Sequence, residues 1–335
     1  MSGELCLVTG ATGFIGGHLV ERLTGEGYAV RCLARAGSDT SRLEALDVEI
    51  VIGDLTQPQS LTPAVAGAHL VFHCGALVSD WATREEIAAI NVQGTRSLLQ
   101  ACRESSVQRL VHLSSTDVYG YPGGAQIAES YTSTHFRNWY AQTKLEAEAE
   151  VRRAQSAGSL EAVILRPATV YGPGSIDVVG EIARALRARH MLLIDRGRAL
   201  AGLCFVENLI DALILAARHT AAPAQAFNIS DGLYITWKRF TDDLAAGLGC
   251  PPARWSLPYP LASTIGLLLE HGYRLLRGST GLHTAPLLSR QAVQVLGKSQ
   301  DFSNRKAREM LGWDPRVDYA SGLAATLAWL GSELV

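Results

Sequence analysis

A glycine-rich turn close to the N-terminus constrains the fold more than any other feature of this sequence. Residues 10–16 read GATGFIG; they follow an apolar run, residues 5–9, and open a helical pattern over residues 14–23. A strand, a tight glycine turn and a helix in this order predict a phosphate-binding turn, because the helix N-terminus offers amide donors and a partial positive charge. A dinucleotide requires this context, with glycines for the turn, for close approach of the backbone to a pyrophosphate and for strand–helix packing.

Short runs rich in Val, Ile and Leu alternate with helical patterns through the first half of the chain. Further strand-like runs cover residues 29–33, 48–52, 70–73, 109–113 and 161–165, and further helical patterns cover residues 87–102 and 139–154. This order predicts a doubly wound α/β fold with a parallel sheet. We expect a dinucleotide-binding Rossmann domain over residues 1–171, with returns to it near 204–230, and a smaller, discontinuous substrate-binding lobe and lid from residues 172–203 and 231–335.

Composition narrows the class of protein. The chain has 335 residues, of which 47% are hydrophobic and 19% charged, and its 30 basic against 32 acidic residues give a net charge of −2. These values disfavour disorder and an electrostatic grip on nucleic acid. The six cysteines form no CxxC pair, and residues 1–10 lack the basic and apolar regions of a signal peptide. We therefore expect a cytoplasmic protein without a metal site.

The most apolar later stretch, residues 257–276, is interrupted by Pro258, Pro260 and Glu270. No transmembrane segment is expected there. Its apolar residues nevertheless repeat with a helical period, which favours either a pocket or membrane-surface entrance for a lipophilic substrate, or a stripe of ordinary core. Peripheral contact with a membrane therefore stays open.

The residues after the second strand-like run bear on which nicotinamide cofactor the turn would hold. An acidic residue here would bind the ribose 2′-hydroxyl of NAD, whereas Arg accommodates the 2′-phosphate of NADP. The sequence RCLARAGS has Arg35 and Ser38 and no acid, so NADP is preferred and NAD is the alternative. Asp54, in GDLT after the third run, is placed to accept a hydrogen bond from the adenine amino group. Both Arg35 and Asp54 are also typical of ordinary exposed turns.

Tyr140 and Lys144 stand four residues apart near the start of the helical pattern at 139–154, which puts them on one helix face. The fifth strand-like run ends in SSTDVYG, so Ser114 and Ser115 fall at the carboxyl edge of the sheet, where doubly wound folds bind ligands. A phenol has an unperturbed pKa of about 10, which a nearby ammonium can depress. The constellation therefore predicts proton transfer by Tyr140 with the assistance of Lys144.

Together these motifs resemble the extended short-chain dehydrogenase/reductases. GATGFIG, GDL at residues 53–55, SSTDVYG at 114–120, YAQTK at 140–144, LRPATVYGPG at 165–174 and FVENLIDAL at 205–213 follow the order of that family. With KAREMLGWDP at residues 306–315, the resemblance spans nearly the whole chain. It implies hydride transfer between a nicotinamide and a CH–OH or C=O group.

The resemblance also implies roles for individual residues. Tyr140 is the acid/base, Lys144 its partner and a ligand of the cofactor ribose, Ser115 orients the reacting oxygen, and Asn91, in INVQGT, supports the proton relay. The candidate cofactor-binding residues are Gly10, Thr12, Gly13, Phe14, Ile15, Gly16, Arg35, Ser38, Asp54, Leu55, Cys74, Gly75, Ala76, Tyr140, Lys144, Pro167 and Thr169. A homodimer through the helices at 87–102 and 139–154 is implied as well, although burial against their own sheet explains their apolar faces equally.

An NADP-dependent reductase or dehydrogenase of a hydrophobic ketone or secondary alcohol is expected first, since residues 287–303 resemble the 3β-hydroxysteroid dehydrogenase branch. A nucleotide-sugar 4-epimerase using bound NAD is the alternative, because the basic stretch at residues 184–198 could bind a diphosphate; an NADP-binding sensor is a third. A dehydratase fits least, since Asp117 is the single carboxylate in place before VYG. His135, Arg137 and Trp139 are candidates for shaping an unusual pocket; His135 is a candidate for a second acid or an ordinary loop residue.

Overall fold

The computed structural model describes residues 3–79, 81–133, 136, 138–158, 160–280 and 288–333; the side chains of residues 274–280 and 333 are not described. His135 and Arg137 lie outside these residues. Seven of the described strands are β1 (Leu5–Thr9), β2 (Ala29–Ala34), β3 (Glu49–Ile52), β4 (Leu70–His73), β5 (Arg109–Leu113), β6 (Glu161–Pro167) and β10 (Ala226–Ile229). They form one parallel sheet in the order β3, β2, β1, β4, β5, β6, β10, and the predicted doubly wound α/β fold is confirmed.

Helices cover both faces of this sheet. The helices are α1 (Phe14–Gly25), α2 (Ser41–Glu44), α3 (Pro58–Val65), α4 (Arg84–Ala88), α5 (Thr95–Glu104), α6 (Trp139–Ser156), α7 (Glu181–Arg187), α8 (Val206–Arg218), α9 (Trp237–Gly247), α10 (Tyr259–Thr280), α11 (Arg290–Gly297), α12 (Arg305–Leu311) and α13 (Tyr319–Glu333). Successive strand residues point to opposite faces, so Val8 packs in the core with α1 and α8 while Leu7 packs in the core with α3, α5 and α6.

The predicted helix over residues 87–102 is interrupted in the structure. Between α4 and α5 the chain makes a π-helical turn, Ala89–Gly94, which shifts the side chains that follow relative to a regular helix. The wider turn is stabilised by Asn91, whose side chain accepts from Leu77 N at 2.7 Å and donates to Leu77 O at 3.1 Å. Helical periodicity carries no signal for this insertion, because α4 and α5 on either side keep ordinary spacing.

Two further parallel pairs of strands were not expected from the sequence. They are β7 (Thr169–Tyr171) with β9 (Leu203–Phe205), and β8 (Leu192–Ile194) with β11 (Trp255–Leu257). Each strand has only three residues, which is too short for alternation to be read in the sequence. The second pair leads into α10 and α11, which pack on each other. Among the described residues, no helix combines the length and the apolarity needed to cross a bilayer.

Candidate active site

The glycine turn after β1 is too tight for side chains. Gly10 has φ of +70°, and a Cβ atom there would lie 2.7 Å from the backbone nitrogen of Gly75, at the end of β4. A Cβ atom on Gly16 would overlap the carbonyl oxygen of Gly10. Gly13 is the N-cap of α1, so the helix N-terminus opens directly onto the turn. This cradle fits the pyrophosphate of a dinucleotide.

A cavity of about 260 Å³ adjoins the turn at the carboxyl edge of β1, β2 and β4. The structure brings the following predicted residues together around it: Gly10, Thr12, Gly13, Arg35, Ser38, Asp54, Leu55, Cys74, Gly75 and Ala76. Sequence reasoning missed five other lining residues, namely Thr9, Leu33, Gly53, Leu77 and Ile90. Thr9 ends its strand and Leu33 lies next to the end of its own, so the rule that ligands bind at strand ends was the signal that could have found these two.

Arg35 lies exposed at the rim of the cavity, where the chain turns after β2. Within the described residues its guanidinium makes no hydrogen bond or ion pair, which leaves its donors available to a phosphate. Asp54 faces it across the cavity; hydrogen bonds from Thr56 to one carboxylate oxygen hold the pKa of Asp54 below its usual range, with a smaller contribution from Arg35. An ionised Asp54 retains its second oxygen for an amino group.

Seven of the candidate cofactor residues are not among those that line this cavity, namely Phe14, Ile15, Gly16, Tyr140, Lys144, Pro167 and Thr169. Phe14 contacts the loop after β7, where a Cβ atom on Gly174 would meet its ring at 3.3 Å, and Ile15 is half-buried beside it in α1. Pro167 ends β6, and the Thr169 hydroxyl donates to Gln300 at 3.3 Å. Their cofactor contacts remain predictions.

No sequence pattern predicted the role of His18, whose hydrogen bond links the loop after β7 to α1. Its two ring nitrogens lie 2.8 Å from Pro173 O and 2.9 Å from Glu207 Oε1. The loop is thereby held over the first turns of the helix that follows the glycine turn.

The two serines after β5 have different surroundings. Ser114 is buried, and its hydroxyl donates to Glu148 at 2.7 Å. Ser115 is half-buried at the N-cap of a 3₁₀ turn, Thr116–Tyr119, and its Oγ accepts from Asp117 N at 3.1 Å. Because the Asp117 amide occupies one lone pair of Ser115, the O–H of Ser115 can be directed toward a substrate oxygen.

Tyr140 and Lys144 lie one turn apart on α6, which begins at Trp139 because Asn138 caps it by accepting from Ala141 N at 2.6 Å. Burial and then the Asp117 carboxylate raise the pKa of Tyr140 above its ordinary value, while a hydrogen bond with Ser115 lowers it. The expected depression of this pKa by Lys144 is therefore not found in the protein alone. Tyr140 is held protonated at neutral pH, which suits a proton donor.

Lys144 is 2% exposed, and its ammonium donates to Leu113 O, the last carbonyl of β5, at 2.5 Å. Burial lowers the pKa of Lys144 to about 8, and the carboxylates of Glu148 and Asp117 oppose this shift. The ammonium therefore persists at neutral pH, beside the carboxyl end of the strand that carries Ser115.

Asn91 belongs to a buried chain of hydrogen bonds that begins at the cofactor cavity. Thr95 donates its one hydroxyl hydrogen to Asn91 O at 2.6 Å, so it accepts from His73 Nε2 at 2.9 Å, and His73 Nδ1 accepts from Thr9 at 2.8 Å. Burial lowers the pKa of His73 to about 3, which keeps the ring neutral, while the acceptor role of Thr95 places its proton on Nε2. The Asn91 side chain also donates to Thr143 of α6 at 3.3 Å, which joins the cavity to the helix of Tyr140.

A buried ion pair lies below the Ser-Tyr-Lys cluster. Arg166 of β6 donates to the two carboxylate oxygens of Glu148 at 2.8 and 2.6 Å, and the two residues are 5% and 1% exposed. Arg166 also donates to Tyr119 at 2.8 Å, which in turn donates to Asn228 at 2.6 Å. Glu148 is thus held by Arg166 and by the hydroxyl of Ser114, the residue before Ser115.

The comparisons with known proteins agree with this geometry. The model of the NAD dependent epimerase/dehydratase family matches residues 6–230 of the chain. The chain belongs to this family. It is an extended short-chain dehydrogenase/reductase, an oxidoreductase of the NAD(P)-dependent kind, as its sequence motifs implied.

Named relatives of this dehydrogenase/reductase are similar over almost their whole length. It is 31% identical over 322 residues to the 4-hydroxy-2-methyl-3-oxo-4-farnesyl-3,4-dihydroquinoline-1-oxide ketoreductase of Stigmatella aurantiaca, covering 95% of this chain and 94% of that one. It is 32% identical over 325 residues to the 2-alkyl-3-oxoalkanoate reductase of Stenotrophomonas maltophilia, covering 95% and 96%. Among solved structures, MoeE5 in complex with UDP-glucose and NAD is 26% identical, with a TM-score of 0.79 over 99% of this chain and 100% of that one.

Proposed function

We propose that this enzyme is an NADP-dependent ketoreductase, or the reverse dehydrogenase, of a hydrophobic small molecule. The observation that carries the proposal is the hydrogen bond between Ser115 and Tyr140, one helical turn from Lys144, together with a glycine-lined cavity rimmed by Arg35. Relatives named as a ketoreductase and an oxoalkanoate reductase support it. Most of the apolar stretch at residues 257–276 lies in α10, and its apolar side chains favour an apolar substrate.

The glycine turn and the cavity beside it would hold the cofactor, which would supply the hydride that reduces the carbonyl carbon. Tyr140 gives its phenolic proton to the carbonyl oxygen, so that a secondary alcohol forms and no free alkoxide is released. Ser115 donates a second hydrogen bond to the same oxygen as charge develops on it. The Lys144 ammonium, anchored on Leu113 O, stabilises the phenolate that remains.

The proposed function is tested by turnover. Purified enzyme with NADPH and a panel of hydrophobic ketones, among them a steroid ketone and a long-chain ketone, is expected to consume NADPH and to yield the secondary alcohol, identified by mass spectrometry. UDP-glucose is expected to give no thermal protection. Failure with every ketone, combined with NAD retained through purification and protection by UDP-glucose, would overturn the proposal and favour an epimerase.

The preference for NADP makes a separate prediction about Arg35. Replacing Arg35 with Ala is expected to weaken NADPH binding about 10- to 100-fold, since a hydrogen bond to a charged group contributes about 1.5–3 kcal/mol. NADH binding should hardly change. Fluorescence titration with both cofactors measures this, and Arg305→Ala, on an exposed arginine of α12, is the matched control. An equal loss for NADH and NADPH would contradict the assignment of Arg35 to the 2′-phosphate.

The nucleotide-sugar alternative rests on the likeness to MoeE5 and on the basic stretch at residues 184–198. Arg184, at the start of this stretch, forms an ion pair with Glu181 at 2.9 Å and donates to Gly180 O at 3.3 Å. Part of the stretch is therefore committed to its own helix, which weakens the case for a diphosphate site there.

Contact with a membrane, a homodimer and a cytoplasmic location remain proposals for this enzyme. Exposed leucines of α10, with Leu268 66% accessible, support peripheral contact with a membrane. A groove of about 590 Å³ between α5 and α6, lined in part by Arg96, Leu99 and Arg103, supports a homodimer through these helices. Six free cysteines support a reducing, cytoplasmic location.

A further inference from the structure

His18 of α1 is 9% exposed and lies between two hydrogen-bond acceptors, Pro173 O and Glu207 Oε1. Arg22 donates to the other oxygen of Glu207 at 2.7 Å. The hydrogen bond with His18 and the charge of Arg22 lower the pKa of Glu207, so its carboxylate is ionised at neutral pH. A carbonyl and an ionised carboxylate only accept hydrogen bonds. His18 therefore makes both contacts only as an imidazolium, with a proton on each ring nitrogen.

The charged groups on the elements around His18 are largely paired with one another. They belong to α1, α2, α8 and the chain after α12, and they are Glu21, Arg22, Arg42, Glu207, Asp211 and Arg316. The loop at residues 172–174, which reads GPG, brings no charge of its own. Because histidine ordinarily titrates between about pH 5 and 8, the contact between α1 and this loop can change within the physiological range.

The same histidine contacts the residue that begins the helix after the glycine turn. The ring of Phe14, the first residue of α1, meets the ring of His18 edge-on, with centroids 5.7 Å apart. Phe14 also packs against the loop, since a Cβ atom on Gly174 would lie 3.3 Å from its ring. His18, Phe14 and the loop are thus in mutual contact beside the helix N-terminus that fits a pyrophosphate.

We propose that His18, in its doubly protonated form, is a positioning residue for the cofactor, because it holds the loop at residues 172–174 against Phe14 at the N-terminus of α1. The inference rests on the cofactor site of the proposed function and is independent of the ketone. A ring that has lost one proton keeps at most one of its two hydrogen bonds. Cofactor affinity should therefore fall as the pH rises and His18 deprotonates, and by linkage the bound cofactor must favour the protonated ring to the same extent.

The test measures the Kd of NADPH by fluorescence titration between about pH 6 and about pH 8, for the wild type and for His18→Gln. Dividing the two Kd values removes the titration of groups that both complexes share, such as Lys144 and the 2′-phosphate. His18→Gln is expected to bind NADPH about fivefold or more weakly at the acidic end. The ratio should approach one at the alkaline end, where the neutral histidine also keeps a single contact. A residue that only maintained the fold would give the same ratio at every pH.

Glu207→Gln separates the protonation of His18 from the contacts that it makes. The glutamine amide can donate to Nδ1, so a neutral ring keeps its Nε2–H bond to Pro173 O and both contacts are retained. This variant is expected to match the wild type at the acidic end and to bind NADPH about fivefold or more tightly than the wild type at the alkaline end. Since it is compared with the wild type directly, the inference does not depend on the folding of His18→Gln.

His69→Gln, at an exposed histidine just before β4 at the amino edge of the sheet, is the matched control and should follow the wild type at each pH. NMR of ¹⁵N-histidine protein gives a readout besides affinity: the imidazole signals lost in His18→Gln should show two protonated nitrogens at the acidic end, and NADPH should move the loss of one proton to higher pH. Kd ratios that do not vary with pH, or a ring with a single proton throughout, would overturn the inference alone. Failure of the wild type to bind either nicotinamide cofactor would overturn the proposed function as well.

Discussion

Replacing Tyr140 with Phe is expected to lower kcat by about 10²- to 10⁴-fold, because a positioned general acid contributes a factor of that size. The phenol is held protonated by burial and by Asp117, so the variant loses the proton donor while the ring and its packing remain. NADPH should bind as in the wild type. Steady-state kinetics with a ketone that the wild type reduces, together with fluorescence titration of NADPH, measures both effects.

The control for this prediction is Tyr234→Phe, which removes the same hydroxyl from a residue that is 71% exposed. It should retain wild-type kinetics. If Tyr140→Phe retained most of the wild-type kcat, another group would have to deliver the proton, and the assignment of the Ser-Tyr-Lys cluster would be wrong.

Breaking the buried Arg166–Glu148 pair is expected to have the largest effect on stability. Glu148→Leu leaves Arg166 buried with an unpaired charge and Ser114 without its acceptor, which should lower the free energy of unfolding by about 3–5 kcal/mol. Arg166→Met should have a similar effect, because it leaves the buried Glu148 carboxylate without its positive partner. The double variant should be less destabilised than the two single effects added together, because no uncompensated charge remains.

Denaturant unfolding of the four proteins of this cycle measures the coupling. The matched control is Glu309→Leu, in the Arg305–Glu309 pair of α12, whose side chains are 80% and 66% exposed. An exposed pair of this kind contributes about 0–1 kcal/mol. The prediction would be wrong if Glu148→Leu and Glu309→Leu lowered the free energy of unfolding equally. It would also be wrong if the effects of Glu148→Leu and Arg166→Met were additive in the double variant.

Sequence patterns predicted the sheet well because strand burial and strand ends are local properties. The predicted bounds of β1, β4 and β5 agree with the structure, and the glycine turn, Arg35 and Asp54 meet around one cavity as expected. Parallel strands bring their carboxyl ends to one edge, so residues after different strands can be placed together without knowing the intervening chain.

The parts of the site that sequence could not provide depend on contacts between distant segments. Gln291 contacts Asp117, which is 174 residues away in the sequence. The local pattern of α11 does not indicate which of its polar side chains lies against the 3₁₀ turn after β5. The expected depression of the Tyr140 pKa was wrong because burial and the Asp117 carboxylate, both set by tertiary packing, raise this pKa.

The attachment of the segment that carries α10 and α11 limits the effect of changes within that segment. The segment begins after Leu257, which pairs with Ile194. It ends at Gln300, whose backbone N–H donates to Leu200 O at 3.1 Å. Both junctions lie on one short stretch of backbone, while the glycine turn and Tyr140 are held by other strands. A change in the length or sequence of this segment is therefore expected to leave the glycine turn and the Ser-Tyr-Lys cluster in place.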